Sequence, residues 1–181
     1  MHLPILSTAR LRLTALHPDQ HTRLAELGDD PTVAAYTAAI PSPYTAEDAR
    51  NFIEHSLGAA EQDENYVFGL HLRAGELIGV INLKPSRLHR SGHLGYWIGA
   101  DYRRHGYMTE AVEAIMVFAF QTLNLNRAHT SCFTVNAASA RVLEKAGLQR
   151  EGCSRKAFLK EGVFHDLLQF GALREEWENS R

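Results

Sequence analysis

Apolar and polar residues alternate over residues 8 to 13, where Leu11 and Leu13 are set against Arg10 and Arg12. A period of two predicts a half-buried first strand. Pro18-Asp19 then reads as a helix start, and residues 19 to 60 are helix-rich but irregular, punctuated by Pro31, Pro41 and Pro43. Within them Thr45-Ala46-Glu47-Asp48 opens a further helix, because acids in a first turn meet the positive end of the helix dipole. From Tyr66 the pattern changes. Residues 66 to 72, 77 to 83 and 93 to 98 are short β-rich runs separated by Ala74-Gly75 and by a basic loop, which predicts an antiparallel meander. After a loop at 101 to 107, Val112, Ile115, Met116, Ala119, Phe120 and Leu123 recur at spacings of three and four, so a helix from about 108 to 124 buries one face. Residues 127 to 134 return to strand. Asn136 as N-cap, the stripe Val142, Leu143 and Ala146, and Gly147 as a left-handed terminator predict a short second helix. Residues 150 to 160 and 163 to 173 form two closing strands around Glu161-Gly162, with Trp177 set to cover an exposed edge. Strands, helix, strand, helix, strands, without repeat or linker, predict an α/β (α+β) fold.

Length agrees with a single domain over residues 1–181, since two domains in 181 residues would each bury too little surface. Apolar residues at 45% and charged residues at 22% are globular values, which excludes disorder as the main theme. The longest apolar run, near residues 111 to 120, is broken by Glu113 and too short for a membrane span. Met1-His2-Leu3-Pro4-Ile5-Leu6 lacks the basic region and apolar core of a secretory signal, so a cytoplasmic location is expected. Cys132 and Cys153 cannot form a disulfide framework and are expected to be inert packing residues in a reducing compartment. A net charge of −2 argues against nucleic acid as the main partner. The local cluster Lys84, Arg87, His89 and Arg90 reads as a solvated hairpin loop, or as a patch for an acidic partner or a cofactor phosphate.

A strand that runs into Asp101-Tyr102-Arg103-Arg104-His105-Gly106-Tyr107-Met108 and then into a long helix has the geometry of an anion site. The first helix amides lack partners within the helix, and the summed peptide dipoles favour an anion there. Gly106 lets backbone approach closely, and Arg103 and Arg104 would add charge-assisted donors. By itself a basic turn before a helix is also an ordinary connection.

Gly95-Tyr96-Trp97-Ile98, then Arg103-x-x-Gly106-x-Met108-Thr109-Glu110-Ala111, then Asn136-x-x-Ser139-x-x-Val142-Leu143-Glu144-Lys145-x-Gly147 together resemble the GNAT superfamily of acyltransferases. They look most like the branch that includes ribosomal-protein N-terminal acetyltransferases. Thr8-x-Arg10-Leu11-x-Leu13, Glu151-Gly152 and Gly162-x-x-x-Asp166 match as well, so the resemblance runs in order along nearly the whole chain. It implies the GNAT fold, a mixed, mostly antiparallel central sheet splayed at the cofactor site and flanked by helices. It implies acetyl-CoA (coenzyme A) as cosubstrate, with the main-chain amides of Arg103, Arg104, His105, Gly106, Tyr107 and Met108 cradling the pyrophosphate. Ile98 would pair its backbone with the pantetheine arm, Asn136 would hydrogen-bond that arm, and Ser139 would stand near the thioester sulfur and help the thiolate leave. Asn136 can serve as cap and contact together, because a cap uses the side-chain oxygen and leaves the NH₂ free.

The chain departs from the family pattern at Met108, where glycine or alanine is usual, at Leu148, where phenylalanine is common, and at His93, where many relatives carry an acid. An acceptor amine must lose a proton before it attacks a thioester, and histidine, with an ordinary pKa near ~6.5, suits that task. His93 is therefore the expected general base, against a water relay or a surface imidazole. Tyr96 and Trp97 alternate faces, so Tyr96 is expected to shape the acceptor pocket while Trp97 enters the core. Ten histidines invite a metal reading through His17/His21 and His89/His93, but Pro18 disfavours helix at His17 and neither pair has an intervening glutamate, so no metal is expected. The expected function is N-acetylation of a primary amine, foremost a protein N-terminal α-amine. A small-molecule amine such as an amino acid, polyamine or aminoglycoside is the alternative acceptor, and a non-catalytic acyl-coenzyme A sensor is the alternative class. Residues 28 to 60 and the tip near 160 to 165 are expected to line the acceptor pocket. A homodimer is open: relatives are often dimers, and the final strands could pair.

Overall fold

The computed structural model of the chain describes residues 3–37 and 40–180, so Met1 and His2 of the amino-terminal stretch lie outside the described residues. The first part of the chain forms β1 (Leu6–Ser7), β2 (Leu11–Thr14), α1 (His21–Gly28), α2 (Pro31–Tyr36) and α3 (Ala46–Glu61). The meander follows as β3 (Tyr66–Leu72), β4 (Leu77–Ser86) and β5 (Ser91–Ile98). Then come α4 (Tyr107–Val117), β6 (Arg127–Phe133), α5 (Ala137–Lys145), β7 (Gln149–Lys160), β8 (Val163–Leu173) and α6 (Arg174–Asn179). The strands form one sheet in the order β1-β2-β3-β4-β5-β6-β8-β7, antiparallel throughout except where β5 meets β6. This is the mixed, mostly antiparallel sheet flanked by helices that the family resemblance implies.

Period-two patterning separates two cores. Phe68, Ile81 and Leu94 face α4 with Leu11, Leu13, Ile115 and Phe118, while Val67 and Val80 face α1 and α3 with Leu24, Ala49 and Ile53. Trp97 packs half-buried against the second core. The caps act as their residue types suggest. Thr45 Oγ1 accepts from Asp48 N at 3.1 Å and Asp48 Oδ2 accepts from Thr45 N at 2.9 Å, a reciprocal capping box that starts α3. Gly147 ends α5 with φ +90°, the conformation in which a side chain would be strained.

Four expectations need correction. Thr8 and Arg10 do not belong to a strand; Thr8 N donates to Leu11 O at 3.0 Å in a turn, and the pairing begins at Leu11. The helix from 107 does not run uniformly to 124, because residues 118–122 widen into a π turn in which Leu123 N reaches Phe118 O at 3.0 Å. Trp177 does not cover a sheet edge: it is 9% exposed and lies 5.3 Å, ring to ring, from Phe120 in the first core. Of the two cysteines only Cys132 is buried, and Cys153 is exposed. Of the basic cluster, Arg87, His89 and Arg90 form the hairpin turn, with Arg87 paired to Asp63 at 2.9 Å and Arg90 donating to Asn124 O at 3.0 Å, while Lys84 lies within β4 opposite His93.

Candidate active site

The sheet opens where its one parallel pair ends. β5 and β6 are in register only from Ser91↔Arg127 to His93↔His129, and beyond that they part. Gly99 N donates to Ile78 O at 2.9 Å, so Gly99 turns its main chain towards β4. Alternation along an antiparallel strand then turns Leu94, Tyr96 and Ile98 the other way, into the opening. Leu94 O is met there by the buried hydroxyl of Thr130 at 2.7 Å. Ile98 O accepts from Arg103 Nε at 3.3 Å, while the Ile98 amide faces the gap.

The loop before α4 is wound so that its amides stay free. Arg104 and Gly106 both hold φ in the left-handed region, at +65° and +80°. Gly106 supplies that conformation without penalty and caps α4 without a side-chain bond. The amides of residues 104 to 109 find no acceptor among the described residues, and they stand at the positive end of α4. That combination recognises phosphate. Arg104, Arg141 and Lys145 add positive charge to the same cavity. From outside, Arg10 braces the loop. Its Nη1 donates to His105 O at 2.8 Å, its guanidinium lies 4.7 Å from the Tyr107 ring centroid, and its Nε pairs with Glu110 at 2.7 Å. Burial pushes the Glu110 carboxyl up, but bonds from Thr8 and Arg10 outweigh it and hold the pKa below its ordinary value.

Arg103 differs from expectation. Its amide donates to Ala100 O at 3.2 Å, and its guanidinium is taken up by Ile98 O, Thr32 Oγ1 and Asp30, so neither its amide nor its side chain is offered to an anion.

On the α5 side of the opening, Asn136 Oδ1 accepts from Ser139 N at 3.0 Å, and its NH₂ group is left for other partners. Ser139 Oγ lies 2.8 Å from Tyr96 Oη. Burial drives the Tyr96 phenol far above its ordinary pKa, so it stays protonated and can donate. Tyr96 thus stands by Ser139, and it is Trp97 that packs on the α1 and α3 side. The His93 ring lies exposed, edge-on to His129 with centroids 5.4 Å apart. Loss of hydrating water beside the protein, then His129, then Lys84 lower its pKa from 6.5, which leaves a neutral imidazole at pH 7.

His93, Tyr96, Asn136 and Ser139 open onto one cavity of about 1420 Å³. Its far wall is Thr32, Val33 and Tyr36 of α2 with Asn51 and Phe52 of α3, and Phe158 of β7 closes it. Lys160 at the hairpin tip donates to Thr37 O at 2.7 Å and also to Ala34 O. Asp48 is the one carboxylate lining the cavity among the described residues. Among those residues no group of three or more His, Cys, Asp or Glu side chains converges, and His21 Nδ1 is bonded to Pro18 O at 2.9 Å.

Sequence reasoning missed Arg10, Thr130 and Asp30. The Thr8-x-Arg10-Leu11 motif signalled the first without its role. Nothing local marks the other two.

Residues 10–149 match the family described as "Acetyltransferase (GNAT) domain". YnaD of Bacillus subtilis (strain 168), an uncharacterized N-acetyltransferase, is 30% identical over 95% of this chain and 98% of its own length. The ribosomal-protein-serine acetyltransferase of Escherichia coli (strain K12) is 25% identical over 67% of this chain and 68% of its own. The fold matches that of RimJ from Mycobacterium smegmatis, solved in complex with CoA-disulfide, with a TM-score of 0.88 at 18% identity, covering 97% of this chain and 91% of that one.

Proposed function

The chain belongs to the GNAT acetyltransferase family and is an N-acetyltransferase, and on that premise we propose that it moves the acetyl group of acetyl-CoA directly onto a primary amine, foremost the α-amine of a protein N-terminus. One observation carries the reading: the β5–β6 opening lies beside a loop whose amides, from Arg104 through His105, Gly106 and Tyr107 to Met108, have no acceptors among the described residues. The residues fit the group, since free amides, a helix N-terminus and three cations suit a pyrophosphate, and the exposed main chain of Tyr96 and Ile98 suits an amide-bearing arm. When bound, acetyl-CoA supplies an activated thioester carbonyl. Residues 104 to 108 hold its phosphates. The Ile98 backbone and the Asn136 NH₂ align its arm, and an amide near Ile98 meets the negative charge that develops on the carbonyl oxygen.

His93 takes the proton of the acceptor ammonium, which frees the nitrogen lone pair to form the C–N bond as the C–S bond breaks. Ser139, oriented by the Tyr96 hydroxyl, gives a proton to the departing sulfur and recovers one from the second N–H that the acylated nitrogen gives up, so the one proton released overall is the one held by His93. Tyr96 acts through Ser139 in this reading more than as a wall of the acceptor pocket. The naming of the Escherichia coli relative supports a protein acceptor, and the wall of α2 and α3, with Asp48 as its carboxylate among the described residues, suits the ammonium of an extended N-terminus. A ribosomal-protein acceptor would be met in the cytoplasm. The exposed β7 edge offers a surface for a homodimer, which sedimentation would check.

The first test is calorimetric titration with acetyl-CoA, with ATP and NAD as controls. Selective micromolar binding supports the reading and opens a screen of peptide N-termini against small amines by thiol release. Absence of binding in folded protein refutes it. Binding without turnover of any amine favours an acyl-CoA sensor.

A further inference from the structure

Arg103 stands where the end of β5, the anion loop and the acceptor-side helix meet. Nε donates to Ile98 O at 3.3 Å, Nη1 to Thr32 Oγ1 at 2.6 Å and Nη2 to Asp30 Oδ2 at 2.8 Å. The other carboxylate oxygen, Asp30 Oδ1, accepts from Thr32 N and Thr32 Oγ1, both at 2.7 Å. One carboxylate therefore caps α2 and receives the guanidinium. The pair is largely enclosed, with side chains 34% and 19% exposed.

α2 spans six residues, too few to hold a helix alone. It is tied at its start by Arg103 and Asp30 and at its end by Lys160, which donates to Thr37 O at 2.7 Å. Thr32, Val33 and Tyr36 face the cavity between these ties. Arg104, next in sequence to Arg103, begins the run of free amides and holds a left-handed φ of +65°. A ligand that fixes that loop also fixes the backbone from which the Arg103 side chain springs.

We propose that Arg103 is a positioning residue that transmits occupancy of the 104–108 loop to α2, so that coenzyme A orders the wall against which the acceptor lies. The proposal rests on the cofactor site above and deepens it. Restraint of the Arg103 backbone lowers the entropic cost of holding its three side-chain bonds, and α2 gains the order. A lysine cannot substitute, because one ammonium cannot reach three acceptors in the plane of a guanidinium fork.

Hydrogen–deuterium exchange on peptides covering residues 29 to 37 tests this without an acceptor, using coenzyme A as the probe. In the wild type, saturating coenzyme A slows α2 exchange by about fivefold or more. Asp30→Asn keeps the cap, since asparagine caps as well as aspartate, but sets an NH₂ donor against the guanidinium. Arg103→Lys removes the fork. Both variants are expected to melt cooperatively and bind coenzyme A, with the slowing reduced below about twofold. Unreduced slowing in both variants, or none in a wild type that binds coenzyme A, overturns the coupling while leaving the acetyltransferase reading intact. A folded wild type that does not bind coenzyme A overturns that reading first. With an active amine in hand, the variants should raise the acceptor KM more than they lower kcat.

Discussion

The surroundings of the His93 ring favour its neutral form, the form that the proposed reaction needs in a base. Partial desolvation, His129 and the Lys84 cation all disfavour its protonated form, so the folded pKa lies below 6.5. The neutral form dominates at pH 7, and kcat/KM should fall only as pH drops through that lowered value. His93→Ala is expected to cut turnover by ~10²–10⁴ and erase the acidic limb, with coenzyme A affinity kept; an unchanged pH–rate profile would remove His93 from the mechanism. Lys84→Ala withdraws a repelling charge, so the limb should move to higher pH. Much of this scale was legible, because Asn136 and Ser139 lie three apart on one helix start and their pairing is local. The part played by Arg103 was not, since its carboxylate partner stands 73 positions earlier and sequence spacing carries no trace of it.

Among the elements, the turn before β2 and the first turn of α4 form one unit. Glu110 receives Thr8 Oγ1, Arg10 N at 2.8 Å and Arg10 Nε at 2.7 Å, and Arg10 in turn holds His105 O. Glu110→Gln should weaken coenzyme A binding several-fold by loosening the loop, and cost about 1 kcal/mol of stability, an amount discounted for the half-exposed guanidinium. The folded pKa of Glu110 is depressed, so its contribution is present above the unfolded pKa and disappears as pH falls through the folded one. Urea denaturation should accordingly show the wild type and Glu110→Gln converging in acid. Gly106→Ala should cost about 1–2 kcal/mol, because φ is +80° and an added Cβ would meet Arg10 Nη2 at 3.3 Å. A thermal melt reads it. Strands and helices at this scale followed from periodicity, as β3 shows. Turn chemistry at Thr8 and the widened turn after Val117 did not, because period-two and period-3.6 patterns continue across a change in hydrogen bonding.

Over the whole molecule, the core between sheet and α4 carries the stability. Phe118 is 1% exposed and meets Tyr66 and Phe68 edge-on, with centroids at 5.2 and 5.6 Å. Phe118→Ala should cost about 3–5 kcal/mol, read as a lower denaturation midpoint at unchanged slope. The order of strands had a visible signature in the sequence only as far as the meander, since hairpins are local. The placement of β8 between β6 and β7 depends on pairings that periodicity does not encode. That arrangement makes the short β5–β6 junction the seam between two antiparallel halves, each able to zip from its own hairpins. In a folding experiment the seam should close last, after the crossover through α4 has docked. Coenzyme A, bound across that late-closing joint, should then leave the refolding rate unchanged and slow unfolding, acting as a rivet set only once both plates are in place.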